Sequence, residues 1–148
     1  SQIVISGRRE KVEKAAEQLK RKGARRVIPL PVSGAFHTSF MRKAAKKFSG
    51  ELDKTFFSEP TCPVITNAFA EYATNSEKIK KALEKQIDHP VLWEDAMKKL
   101  ISKGIDLFIE VGPGKVLQGL LRKIDRKVSV LGVQAPEDIE NRGSSTKF

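Results

Sequence analysis

Apolar positions recur at helical spacing in several stretches of the chain, with short β-branched runs between them. Arg8 to Lys22 carries Val12, Ala15, Ala16 and Leu19 on one face and mostly Lys, Arg and Glu on the other, and Gly23 offers a C-terminal stop. Phe40, Met41, Ala44, Ala45, Phe48 and Leu52 give a second amphipathic helix, with Thr38 or Ser39 as its cap. Ser76 to Ile87, capped by Ser76 and broken by Pro90, is a third. Trp93 to Ser102 and Val116 to Ile124 complete the set. The extended segments are Ile3-Val4-Ile5, Arg26 to Val32, Val64-Ile65-Thr66, Leu107 to Val111 and Val128 to Leu131. Pro29 and Pro31 make the second of these an edge strand at best. Helices alternating with short apolar strands predict an α/β protein with a mainly parallel sheet. The segment from Pro136 is polar and reads as a mobile tail.

Composition narrows the class. The 148 residues are 39% hydrophobic and 31% charged, a soluble globular balance. Lys plus Arg outnumber Asp plus Glu 28 to 18, for a net charge of +10. Such an excess points to an acidic partner, a phosphorylated ligand, or solubility alone. Exposed aromatics do not interleave with a basic stripe, so nucleic acid is not the expected partner; Trp93, Phe40 and Phe48 read as core residues. The single cysteine, Cys62, allows no intrachain disulfide and fits a reducing, cytoplasmic setting. No apolar run approaches the ~20 residues of a membrane helix, so no membrane partner is expected. The start, Ser1-Gln2-Ile3, carries neither a signal peptide nor an initiator Met, and polypeptide upstream is expected.

Few residues can carry chemistry. His37 lies in a Gly-containing turn just ahead of a helix. A neutral imidazole there can accept a proton, which suits a general base. The same place also suits a histidine merely satisfied by backbone groups, and the residue types leave both open. His89, before Pro90, reads as a loop residue. Two histidines and one cysteine supply no zinc ligand set. Glu110-Val111-Gly112-Pro113-Gly114-Lys115 is a glycine-rich turn between strand and helix that can present amides to an anion, or can simply be a tight connection. It matches neither the dinucleotide fingerprint nor the phosphate loop.

The stretch Leu30-Pro31-Val32-Ser33-Gly34-Ala35-Phe36-His37-Thr38-Ser39-Phe40-Met41 resembles the active-site histidine segment of malonyl-CoA:acyl-carrier-protein transacylases. Pro90-Val91-Leu92-Trp93 and Glu110 through Leu117 resemble two further motifs of that family, in matching order and separation. The resemblance runs to about Gln134. It implies part of an α/β-hydrolase-like parallel-sheet large domain plus the second half of a ferredoxin-like small subdomain. Residues 1–33 would be the partial small subdomain, 34–135 the C-terminal part of the acyltransferase domain and 136–148 the polar tail.

The resemblance also implies a ping-pong transfer of malonyl from coenzyme A, through a serine, to the phosphopantetheine thiol of acyl carrier protein, in fatty acid biosynthesis. His37 would be the base, oriented by the backbone carbonyl of Gln86, and Phe36 would bias the site toward malonyl over branched acyl groups. The coenzyme A thioester is a substrate, and no cofactor or metal is implied. The family's Gly-His-Ser-x-Gly nucleophile segment has no counterpart here, because no Gly-x-Ser-x-Gly occurs. The missing N-terminal segment of the same protein is therefore an expected partner, and the chain alone is expected to be inactive and poorly stable. The alternative is a non-catalytic module that binds acyl carrier protein.

Overall fold

The computed structural model describes residues 2–139; the rest of the expected tail, 140–148, lies outside the described residues. The chain divides into two units, one spanning Ile3–Leu92 and the other beginning at Trp93.

In the first unit, α1 (Arg9–Arg21) forms where the sequence places an amphipathic helix. Gly23 takes φ 87, the amide of Gly23 donates to the Lys20 carbonyl, and that of Ala24 donates to Leu19. This pair of bonds closes the helix end, and the left-handed residue between them favours glycine. Val12, Ala15 and Ala16 are half-buried, and no residue of α1 is fully buried. A 3-10 turn, Ser39–Met41, leads into α2 (Arg42–Lys54), which buries Ala45 and Leu52. Helix α3 (Ser76–Gln86) buries Ala82 and packs on α2. Ser49 Oγ donates to Glu84 at 3.1 Å and Lys80 pairs with Asp53 at 2.7 Å across that contact.

Strands β1 (Val64–Ile65) and β2 (Tyr72–Ala73) form an antiparallel hairpin in the same unit. The amide of Ala70 donates to Thr66 at 2.9 Å, and Ala70 sits at φ 50.

In the second unit, α4 (Trp93–Ser102) buries Ala96 and Met97 against α5 (Val116–Ile124), which buries Gln118 and Leu121. Strands β3 (Leu107–Val111) and β4 (Ser129–Val133) pair in parallel, Leu107 opposite Ser129 through Val111 opposite Val133. Parallel neighbours need a crossover connection, and α5 supplies it. The fold is therefore α/β, with one parallel and one antiparallel strand pair among the described residues.

Several expectations are corrected. Ile3-Val4-Ile5 and Arg26 to Val32 form no strand. A β-branched run extends the backbone, but a strand also needs a ladder partner, and neither segment has one among the described residues. Ile3 is 83% exposed. The cap of α3 is Asn75, whose side chain accepts the Lys78 amide at 2.9 Å. Ser76 instead donates its hydroxyl to Glu59 at 2.5 Å. Phe40 is not core: its ring is exposed, with the Arg8 guanidinium 5.8 Å above its centre. Beyond β4, Pro136 turns the chain into helical backbone at residues 137–139, and the Asp138 carboxylate accepts the amides of Gln134 and Ala135.

Candidate active site

The segment around His37 is fixed by short-range bonds. Thr38 Oγ1 donates to the Ala35 carbonyl at 2.7 Å and accepts the Phe40 amide at 3.3 Å, so it caps the 3-10 turn as the sequence suggests. The amide of Met41 donates to the Thr38 carbonyl at 2.9 Å. Between these bonds His37 takes φ 59, the left-handed region that histidine enters more readily than most side chains. That backbone twist sets the direction from which the imidazole leaves the chain.

The imidazole meets the C-terminal end of α3. His37 Nδ1 lies 2.9 Å from the Gln86 carbonyl oxygen. A carbonyl has no proton to give, so the ring nitrogen is the donor and Nδ1 carries the hydrogen. The lone pair is then on Nε2, on the exposed ring of His37. The arrangement can take a proton at Nε2 while the ring is held at Nδ1. The Gln86 side chain is steadied by Asn67, whose Nδ2 donates to Oε1 at 3.5 Å, and the Asn67 carbonyl accepts the Leu92 amide at 2.9 Å. Phe36, half exposed, lays its ring over Gly34, where a methyl group would come within 3.1 Å of the ring edge. Phe36, His37 and Gln86 thus all belong to the unit Ile3–Leu92.

Sequence reasoning passed over Asn67 and Arg8. The signal for Asn67 is its place two residues after β1, and for Arg8 its place ahead of α1, but each contact is to a residue far along the chain. His89 bonds the adjacent Asp88 carboxylate through Nδ1 at 2.6 Å, as a loop residue. Among the described residues no three His, Cys, Asp or Glu side chains come together as a metal site, and no helix is long and apolar enough to cross a membrane.

Four amides of the glycine-rich turn and the helix start behind it, those of Gly112, Gly114, Leu117 and Gln118, are occupied. The Glu110 carboxylate, at the end of β3, accepts the amides of Leu117 at 3.0 Å and Gln118 at 3.2 Å in the first turn of α5. The Gly114 amide goes to Gln134 Oε1 and the Gly112 amide to the Val133 carbonyl. The turn is a tight connection whose own carboxylate fills the place an anion would take. Chiefly the Leu117 amide, then that of Gln118, hold the Glu110 carboxyl below the usual carboxylate range against the opposing effect of burial.

No family model matches the chain. It is 45% identical over 139 residues to the malonyl CoA-acyl carrier protein transacylase of Bacillus subtilis, covering 94% of this chain and 44% of that protein. The enzyme of the same name from Staphylococcus aureus is 40% identical over the same share of this chain and 45% of its own length. The chain thus spans less than half the length of the curated relatives it matches. Among solved structures, an acyl carrier protein S-malonyltransferase from Vibrio cholerae superposes with a TM-score of 0.86 at 35% identity, over 91% of this chain and 44% of that one. A type II polyketide synthase acyl carrier protein in complex with its malonyl-transacylase matches with a TM-score of 0.88 at 31% identity, over 95% and 45%.

Proposed function

We propose that this chain, which belongs to the malonyl CoA-acyl carrier protein transacylase family and corresponds to its C-terminal portion, supplies the base of a malonyl transfer from coenzyme A to acyl carrier protein. The observation that carries the reading is the 2.9 Å bond from His37 Nδ1 to the Gln86 carbonyl, which leaves Nε2 free to accept a proton.

The nucleophile is a serine hydroxyl from polypeptide beyond this chain. It adds to the thioester carbonyl of malonyl-CoA while His37 Nε2 takes its proton. The tetrahedral intermediate expels the coenzyme A thiolate, which recovers that proton as the thiol and leaves malonyl-serine. The phosphopantetheine thiol of acyl carrier protein then gives its proton to Nε2 and attacks the ester. Collapse returns the proton to the serine oxygen. The Gln86 carbonyl steadies the imidazolium formed in each half by accepting from Nδ1. Phe36 fills the space a methyl branch on the acyl group would need. The cycle consumes no cofactor.

In this reading residues 1–33 belong to a ferredoxin-like small subdomain, 34–135 to an α/β-hydrolase-like large domain and 136–148 to a polar tail. The partners are malonyl-CoA, acyl carrier protein and the N-terminal segment that carries the serine, in a cytoplasmic setting. The test is a malonyl-transfer assay on the full-length protein, with His37→Ala beside the wild type. Transfer that falls about 10²- to 10⁴-fold in the variant supports the reading. Binding of acyl carrier protein without transfer by the wild type replaces it with the non-catalytic module.

A further inference from the structure

In an α-helix the carbonyl of one residue accepts the amide of the residue four further on. For Gln86 that residue is Pro90, which has no N–H. Helical bonding continues just past α3, where the His89 amide donates to the Lys85 carbonyl at 3.1 Å, and goes no further. A proline ring collides with the carbonyl four residues before it when the helix runs on, and it keeps the preceding residue out of helical conformation. The chain leaves the helix here and is tied down again by the Leu92 amide on the Asn67 carbonyl. Among the described residues no backbone amide reaches the Gln86 carbonyl, and His37 Nδ1 does. Carbonyls in the last turn of a helix need an outside donor, and the imidazole is that donor.

We propose that Pro90 is a positioning residue: by withholding the amide that would close the last turn of α3, it reserves the Gln86 carbonyl for the His37 imidazole. The proposal rests on the transacylase reading, in which His37 is the base. A residue with an N–H at position 90 extends the helical ladder by one bond, draws the Gln86 carbonyl onto the helix axis and leaves Nδ1 without a fixed acceptor. The imidazole then loses both its orientation and its single tautomer.

The experiment uses the full-length protein with Pro90→Ala, and with L-lactic acid in place of Pro90, which joins the chain through an ester and has neither ring nor N–H. In Pro90→Ala, kcat for malonyl transfer is expected to fall about 10²-fold with KM for malonyl-CoA unchanged. The ¹⁵N spectrum of His37 is expected to lose its preference for the Nδ1–H form. The ester variant is expected to restore both. A folded Pro90→Ala protein with unaltered kcat and tautomer overturns the proposal. So does an ester variant that is folded but impaired, or that fails to fold, because the ring and not the missing N–H is then what matters. If Pro90→Ala does not fold, the ester variant decides alone. The two readings fail separately: His37→Ala without loss of transfer removes the transacylase reading, whereas loss in His37→Ala with none in Pro90→Ala removes only the role of Pro90.

Discussion

At φ 59, His37 combines a twisted backbone with the proposed chemistry, and the two can be separated by substitution. Alanine at this position removes the imidazole and also places an ordinary side chain in the left-handed region, whereas asparagine enters that region readily. Both variants lose the bond to Gln86 and the base. His37→Ala is therefore expected to be about 1 kcal/mol less stable than His37→Asn in chemical denaturation, while both lose about 10²- to 10⁴-fold in kcat. Equal stabilities would remove the backbone argument, and normal turnover in His37→Asn would remove the base. At the neighbouring position, Phe36→Ser is expected to raise kcat/KM for methylmalonyl-CoA relative to malonyl-CoA. One methylene in an apolar pocket is worth about 1–3 kcal/mol, so a shift of roughly tenfold or more is the scale to look for in competition assays. The His37–Gln86 contact shows what was legible here. The resemblance pointed to both residues, but the spacing from Gln86 to Pro90 gives an independent physical signal, because it marks a carbonyl that no helical amide can reach.

Among the elements, the helices were legible because each writes its own period of apolar residues and needs no distant partner to form its backbone bonds. The strands were not equally legible. Leu107 to Val111 and the last strand pair with each other, whereas Ile3-Val4-Ile5 has the same β-branched character and no partner among the described residues. Strand β2 escaped notice because it is two residues long and its turn puts Ala70, not a glycine, at positive φ. The junction of β3 and α5 was read as a candidate anion cradle, and Glu110 accepts two amides of the first turn of α5, those of Leu117 and Gln118. That makes a pH-dependent prediction. The folded Glu110 carboxyl titrates below its unfolded value of about 4.3, so its contribution to stability is complete above that value and fades as pH falls through the lower folded one. Glu110→Gln is expected to melt at a lower temperature than the wild type at pH 7. The gap should close as the pH falls through the lowered folded value, because the wild-type carboxyl then becomes neutral too. A gap independent of pH would mean that the loss is one of packing and not of charge at the helix start.

For the molecule as a whole, burial and charge pull in opposite directions. Of the large apolar side chains, Leu52, Met97 and Leu121 are buried among the described residues, while Ile3, Ile28, Val32, Phe56 and Val116 are each at least 60% exposed. Strand β3 exposes Leu107, Ile109 and Val111 along one face. Covering those three at their present exposure is worth about 2 to 5 kcal/mol, enough to drive association of an isolated chain at ordinary concentrations. The charge of +10 opposes that association by self-repulsion, but over distances that salt shortens to about 10 Å at 0.1 M. The 148-residue chain made alone is therefore expected to stay dispersed at low ionic strength, to associate as salt is added, and to melt without a sharp cooperative transition, as sedimentation and calorimetry would show. Joined to the upstream half that the transacylase reading supplies, the same chain should stay monomeric at the salt concentration that aggregates it alone, because the apolar faces then have a permanent cover that does not depend on repulsion. A chain that melts cooperatively and remains monomeric in salt without that half would mean that its exposed apolar residues need no cover.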